Sequence, residues 1–222
     1  VLGAIEIASW KPEHCVVLQR DAARAELRSG RELDWDECVS AATPADCASA
    51  EVVIVLVATP EQALEVTLGE RGLKAGLTDQ HAPLLALMGT MPAATVQQIA
   101  RELRPLGVRV IDAPISGGAQ RAEDGTLSIM TGGDAADVEA ASAVLDCLGS
   151  RRFHCGAVGA GQTMKIVNNL VGISNAVLVG EALRLALEQG LDLTHVGRVL
   201  EASSGRNAFT MDPQGPQAGY AA

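Results

Sequence analysis

Short apolar runs of strand length alternate, over most of the chain, with stretches whose apolar residues recur every three or four positions. Cys15-Val16-Val17-Leu18-Gln19 reads as a strand, and about Asp21 to Ser29 as a helix. Val52 to Val57 is apolar throughout, as in a strand buried on both faces. Thr59-Pro60-Glu61 then supplies an N-cap and a proline in the first turn of a helix, and Thr43-Pro44 carries the same signal earlier. Leu84 to Met88 is another buried strand, Ala93 to Leu103 a helix, and Val108 to Asp112 an extended run between Gly107 and Pro114. Asp124-Gly125 is a tight-turn dipeptide before the strand Thr126 to Met130. Asp134 stands where it would cap a helix with Val138, Ala141, Val144, Leu145 and Leu148 on one face. Beyond that point the pattern is helical only. It predicts a helix from about Gly161 to Gln189, about 40 Å long at 1.5 Å per residue, and a shorter one from Thr194 to Ala202. The segment from Asp212 to Ala222 has no periodicity and reads as disordered.

Strands and helices alternating at this interval predict an α/β fold with a mostly parallel sheet, followed by an all-α part. The expected divisions are residues 1–158, 159–211 and a tail at 212–222.

Composition narrows the function classes. Aromatic residues make up only 2% of the 222, so the core is built from Val, Leu, Ile and Ala. A net charge of −10 argues against nucleic acid or an anionic membrane as partner. The stretch Leu170 to Leu187 is interrupted by Ser174, Asn175, Glu181 and Arg184, which argues against a transmembrane span. Five cysteines without C-x-x-C spacing predict no metal site, and with no signal-peptide pattern they predict reduced thiols and a cytoplasmic location. The chain begins at Val1 without a methionine.

Chemistry gathers in two motifs. In Gly159-Ala160-Gly161-Gln162-Thr163-Met164-Lys165-Ile166-Val167-Asn168-Asn169, Lys165 and Asn169 lie four apart and share a helix face. A helix this apolar is expected to be mostly buried, and a cation near its start is costly unless it has a role. The chain has three lysines among seventeen basic residues, and lysine is the one whose pKa is readily tuned for proton transfer. A surface lysine with its head in water is the other reading of Lys165. The second motif, Asp112-Ala113-Pro114-Ile115-Ser116-Gly117-Gly118, follows the carboxyl end of a strand, where open α/β sheets bind ligands. Its glycines permit a backbone nest for an anion such as a carboxylate, or simply a tight loop.

Together, DAPISGG, GTLSIMTGG and GAGQTMKIVNN, in that order and spacing, resemble the β-hydroxyacid dehydrogenase family, which includes 3-hydroxyisobutyrate dehydrogenases and semialdehyde reductases. The resemblance runs from about Cys15 to Phe209 and takes in Val52 to Val57, Thr90 near Pro92, and Ser203-Ser204-Gly205. It implies a Rossmann-like, doubly wound domain followed by an incomplete helical domain. It implies hydride transfer between a nicotinamide cofactor and a small 3-hydroxy acid or its semialdehyde. By resemblance, Lys165 is the catalytic proton donor or acceptor. Ser116, Gly117 and Gly118 hold the substrate carboxylate, Asn169 positions the substrate, and Val57 and Thr90 line the nicotinamide cleft.

Gln19-Arg20 ends the strand where NAD enzymes tend to carry an acidic residue, and Arg20 with Arg24 would suit the 2′-phosphate of NADP. Two solvated arginines are an equal alternative, so NADP is expected with NAD possible. The family's first strand and G-x-G-x-x-G turn are reduced here to Val1-Leu2-Gly3-Ala4-Ile5-Glu6, in which Gly3 matches one glycine and Glu6 stands in place of the last. The segment up to Cys15 is too short for a parallel crossover with its helix. Truncation at both ends is therefore expected, leaving one side of the Gly161 to Gln189 helix exposed and inviting homo-oligomerisation. Two functions stand: a hydroxyacid dehydrogenase, or an inactive relative that acts by oligomerising or binding.

Overall fold

The computed structural model describes residues 43–210, together with the backbone of Val16–Val17 and Val39–Ser40. Gly3, Arg20, the helix expected at Asp21 to Ser29 and the tail expected from Asp212 lie outside the described residues. The chain divides into two compact units, Val1–Lys165 and Ile166–Ala222.

In the first unit, β1 (Val16–Val17) and β2 (Val39–Ser40) pair in parallel. The main sheet holds β3 (Val52–Val55), β4 (Leu84–Leu87), β5 (Arg109–Asp112), β6 (Ile115–Ser116), β7 (Ser128–Gly132) and β8 (Arg151–Gly156). β3, β4 and β5 run parallel in register, Val52 beside Leu84 and Leu87 beside Asp112. β7 runs antiparallel to β5 and β6 and parallel to β8, so the sheet is mixed. Its helices are α1 (Pro60–Leu68), α2 (Leu73–Gly76), α3 (Ala93–Leu103), α4 (Gly118–Glu123), α5 (Ala135–Ala140) and α6 (Ser142–Leu148).

The period-two geometry of β4 explains why it is apolar without interruption. Leu85 and Leu87 join a core with Val55, Ala63, Val96, Ile99 and Leu103 on one face. Leu84, Ala86 and Met88 join Ile111, Ile129, Leu145 and Leu148 on the other. α3 meets the sheet through Val96, Ile99, Ala100 and Leu103, a stripe at helical spacing. α1 starts in a reciprocal capping box: the Gln62 N–H donates to Thr59 Oγ1 at 3.2 Å, and the Thr59 N–H donates to Gln62 Oε1 at 3.3 Å. Thr43-Pro44 opens a 3₁₀ helix, Pro44–Ser49, rather than an α-helix.

Three expectations are corrected here. Asp134 makes no side-chain cap bond; its carboxylate pairs with Arg104 at 3.7 Å, and the expected single helix breaks at Ala141 into α5 and α6. β8 is a strand where only helix was expected. Its sequence Arg-Arg-Phe-His-Cys-Gly lacks an apolar run because it pairs with β7 alone and stays largely exposed. β6 and the short α4 appear where an irregular loop was expected.

The long helix α7 (Ala160–Glu188) begins in the first unit and continues into the second, which also holds α8 (Leu193–Ala202). Asp192 caps α8 by accepting from the His195 N–H at 2.8 Å. The expectation that the long helix is mostly buried fails: among the described residues of the second unit only Ala186, Gly197 and Thr210 are buried. Its apolar side chains point all round, so one packing surface cannot cover them. By length and composition alone α7 would also be long and apolar enough to cross a membrane, despite the polar residues that interrupt it. Core helices of soluble proteins meet the same criteria.

Candidate functional site

Three segments of the first unit converge at the carboxyl ends of β4 and β5. The first is Gly89-Thr90-Met91, which follows β4. The Met88 N–H donates to Val55 O at 2.9 Å, and a Cβ on Gly89 would lie 2.6 Å from Val57 O, so the chain after β4 passes against the chain after β3. Val57 is half-buried there and Thr90 is exposed.

The second segment begins at Asp112, the last residue of β5. Its carboxylate is fully buried and faces the start of α7. The Gly159 N–H donates to Oδ1 and the Gln162 N–H to Oδ2, both at 2.7 Å. Thus a side chain from a distant strand supplies the acceptors that the first turn of α7 requires, and an anion is favoured at that end of a helix. Burial raises the Asp112 pKa above the usual carboxylate value, while the backbone N–H groups of Gly159 and Gln162 act against the rise. The approach is so close that a Cβ on Gly161 would stand 2.4 Å from Met130 O and 2.8 Å from Asp112 Oδ2, so only glycine fits.

Four residues after β5 the chain reaches the loop Ser116-Gly117-Gly118. Ser116 is half-buried in β6, where it pairs with Ser128 of β7. Gly117 and Gly118 are exposed, with φ of 151° and 73°. A Cβ on Gly118 would meet nothing within 4 Å, so it is backbone conformation that demands glycine there, and the space before it is open.

The third segment is the start of α7. Gln162 is fully buried. Its Nε2 donates to Gly89 O at 2.7 Å, and its Oε1 accepts from the Met91 N–H at 3.0 Å. One turn on, Lys165 is buried at 8% exposure. The surface reading of Lys165 is therefore excluded. Burial lowers its pKa below the usual lysine value, and no carboxylate pairs with it among the described residues. Asn169 is half-buried one helical turn later, in the second unit, and accepts a long contact of 3.5 Å from Asn168 Nδ2.

Of the residues singled out in the sequence, Val57 and Thr90 follow the ends of β3 and β4, and Lys165 lies in the α7 segment whose Gln162 bonds the loop at Thr90. Ser116, Gly117 and Gly118 follow directly from Asp112. Gly3 and Arg20 lie outside the described residues. Sequence reasoning quoted Asp112 and Gln162 within their motifs but assigned them no part. A carboxylate directly after the apolar pair Val110-Ile111 was the available signal for the first, since a buried charge requires partners. No cluster of His, Cys, Asp or Glu suited to a metal occurs among the described residues.

The family model for the NAD binding domain of 6-phosphogluconate dehydrogenase matches residues 12–159. That for the NAD-binding part of NADP-dependent 3-hydroxyisobutyrate dehydrogenase matches residues 159–218. The mitochondrial 3-hydroxyisobutyrate dehydrogenase of Rattus norvegicus is 33% identical over 180 residues, 81% of this chain and 53% of that protein. The 3-hydroxyisobutyrate dehydrogenase of Pseudomonas aeruginosa is 39% identical over 162 residues, 72% of this chain and 53% of that protein. Among solved structures, Mycobacterium tuberculosis 3-hydroxyisobutyrate dehydrogenase with L-serine superposes at a TM-score of 0.71 with 26% identity, covering 83% of this chain and 65% of that one. The chain spans about half the length of these curated relatives. With motifs, sheet and matched residues in agreement, the chain belongs to the β-hydroxyacid dehydrogenase family.

Proposed function

We propose that this chain is an oxidoreductase subunit that moves a hydride between NADP(H), with NAD(H) as the lesser partner, and a small 3-hydroxy acid or its semialdehyde. The observation that carries the reading is Lys165: a buried amine with no paired carboxylate among the described residues, on a helix held by Asp112 at the carboxyl edge of the sheet. Lysine with a lowered pKa is suited to general acid–base work near neutral pH.

The described residues fit the nicotinamide end of a cofactor. Val57 and Thr90 follow the carboxyl ends of the parallel strands β3 and β4, the edge at which such sheets bind dinucleotides. The preference for NADP is supported by Gln19-Arg20 and by the NADP-dependent family matched over residues 159–218. Gly3 would belong to the phosphate turn. When bound, the nicotinamide supplies or takes the hydride. Lys165 in its free-amine form takes the hydroxyl proton during oxidation, and as the ammonium it returns one to the carbonyl oxygen during reduction. Ser116 with the backbone N–H groups of Gly117 and Gly118 holds the substrate carboxylate, and the Asn169 amide orients the reacting end.

A second reading, a relative without catalysis that acts by self-association or binding, is favoured by the exposed Leu170, Ile173 and Leu178 on α7. Titration with NADPH and NADH separates the two. Saturable binding, tighter for NADPH, is expected; no binding of either sinks the enzyme reading. Lys165→Ala is then expected to lower semialdehyde reduction by roughly 10²–10⁴ while cofactor affinity stays within about threefold. Parallel loss of both would make Lys165 structural.

A further inference from the structure

We propose that Gln162 is a positioning residue that sets the register between the nicotinamide-facing loop at Thr90 and the amine of Lys165. The proposal rests on the dehydrogenase reading above. Gln162 is fully buried, where an unpaired amide would be costly, and both its amide nitrogen and its amide oxygen are hydrogen-bonded. Its side chain bonds both neighbours of Thr90, donating to Gly89 O at 2.7 Å and accepting from the Met91 N–H at 3.0 Å. The amide therefore clasps the loop from both sides of Thr90. Its backbone N–H donates to Asp112 Oδ2 at 2.7 Å, which ties the same residue to the strand leading into Ser116.

Gln162 and Lys165 lie three apart on one helix, so they share a face and move as a rigid pair. A shift of the loop relative to the helix start is a shift of Thr90 relative to Lys165. Hydrogen bonds, unlike apolar contacts, fix direction as well as proximity, and a fully satisfied buried network selects one arrangement. Asparagine is too short to span Gly89 and Met91 from this position. Ionised glutamate keeps the acceptor for Met91 but loses the donor to Gly89 O and stands near the Asp112 carboxylate.

The test uses the full chain with Gln162→Met, which preserves volume and removes both side-chain bonds, and Gln162→Glu, which becomes a steric and hydrogen-bonding equivalent when protonated. With melting curves confirming folding, Gln162→Met is expected to lower kcat by roughly tenfold to a hundredfold, the scale of an ångström-level misplacement, with the KM of cofactor and substrate changed less than about threefold. The ratio of Gln162→Glu to wild-type kcat is expected to rise as the pH falls. A kcat for Gln162→Met within about twofold of wild type overturns the proposal, as does a kcat that falls only in proportion to lost folded protein. If the wild-type chain binds no nicotinamide, the dehydrogenase reading fails for it. Amine labelling followed by peptide mass spectrometry then decides the positioning separately. In Gln162→Met the pH midpoint for labelling Lys165 should rise, and an unmoved midpoint overturns it.

Discussion

Leu84, Leu85, Ala86 and Leu87 in the first unit are wholly buried, whereas Leu170, Ile173 and Leu178 in the second are about two-thirds exposed, at 68%, 66% and 65%. Both segments are runs of aliphatic residues. The strand meets a helical layer on each face, and its two-residue period sorts alternate side chains into two cores. The helix projects the same residue types in every direction, and α8 is the only other helix described in its unit. Apolar composition therefore predicts the need for a partner surface, and the period of the pattern determines how many surfaces are needed.

The sharpest way to break the comparison is to truncate matched leucines. Leu85→Ala, in the first unit, is expected to cost about 2–5 kcal/mol in denaturant unfolding, the range for cavities in a packed core. A cost below about 1 kcal/mol would mean that the core collapses around the gap. The next effect belongs to the first turn of α7, within the first unit. Asp112→Ala leaves the N–H groups of Gly159 and Gln162 without their acceptors. About 1–3 kcal/mol is expected for each buried donor so exposed, and faster amide exchange at those two positions would report it.

A smaller effect follows from Lys165. Its pKa is lower in the folded chain than in the unfolded chain. Between the two values the unfolded state binds more protons, so stability rises with pH through that window and is level above it. Lys165→Met is expected to flatten that rise in chemical denaturation run at a series of alkaline pH values; an unchanged slope would refute the assignment. Smallest of all, Leu170→Ala on α7 is expected to alter unfolding by no more than about 0.5 kcal/mol at dilution. A larger loss, growing with protein concentration, would show that this face is covered by another copy.

The regular parts of the fold were legible in the sequence because local patterns and final packing agree there. Ala93 to Leu103 carries a clean stripe and a preceding proline, and its boundaries emerge as expected. Thr59-Pro60-Glu61 marks its helix start by chemistry alone, and Thr59 Oγ1 does cap it. β8 was illegible because an exposed strand with one neighbour needs no apolar run, only a backbone partner in β7. The break at Ala141 was hidden because the apolar stripe of Val138, Ala141, Val144, Leu145 and Leu148 passes through it unchanged. At the site, Lys165 and the glycine loop stood out by residue type. Asp112 and Gln162 did not, because their meaning lies in partners up to 73 residues away, which no local window contains.

The separation of those partners also imposes an order in time. Gly159 follows Asp112 by 47 residues, and every strand of the sheet is complete by Gly156. As a chain leaves the ribosome from its amino end, β3, β4 and β5 emerge while the acceptors of Asp112 still face water. They lose that water only when the first turn of α7 arrives. Synthesis thus supplies the scaffold first and the closing contacts of the site last, and a nascent chain that has emerged only as far as Gly156 would carry every strand of the sheet with a hydrated Asp112 at its open edge.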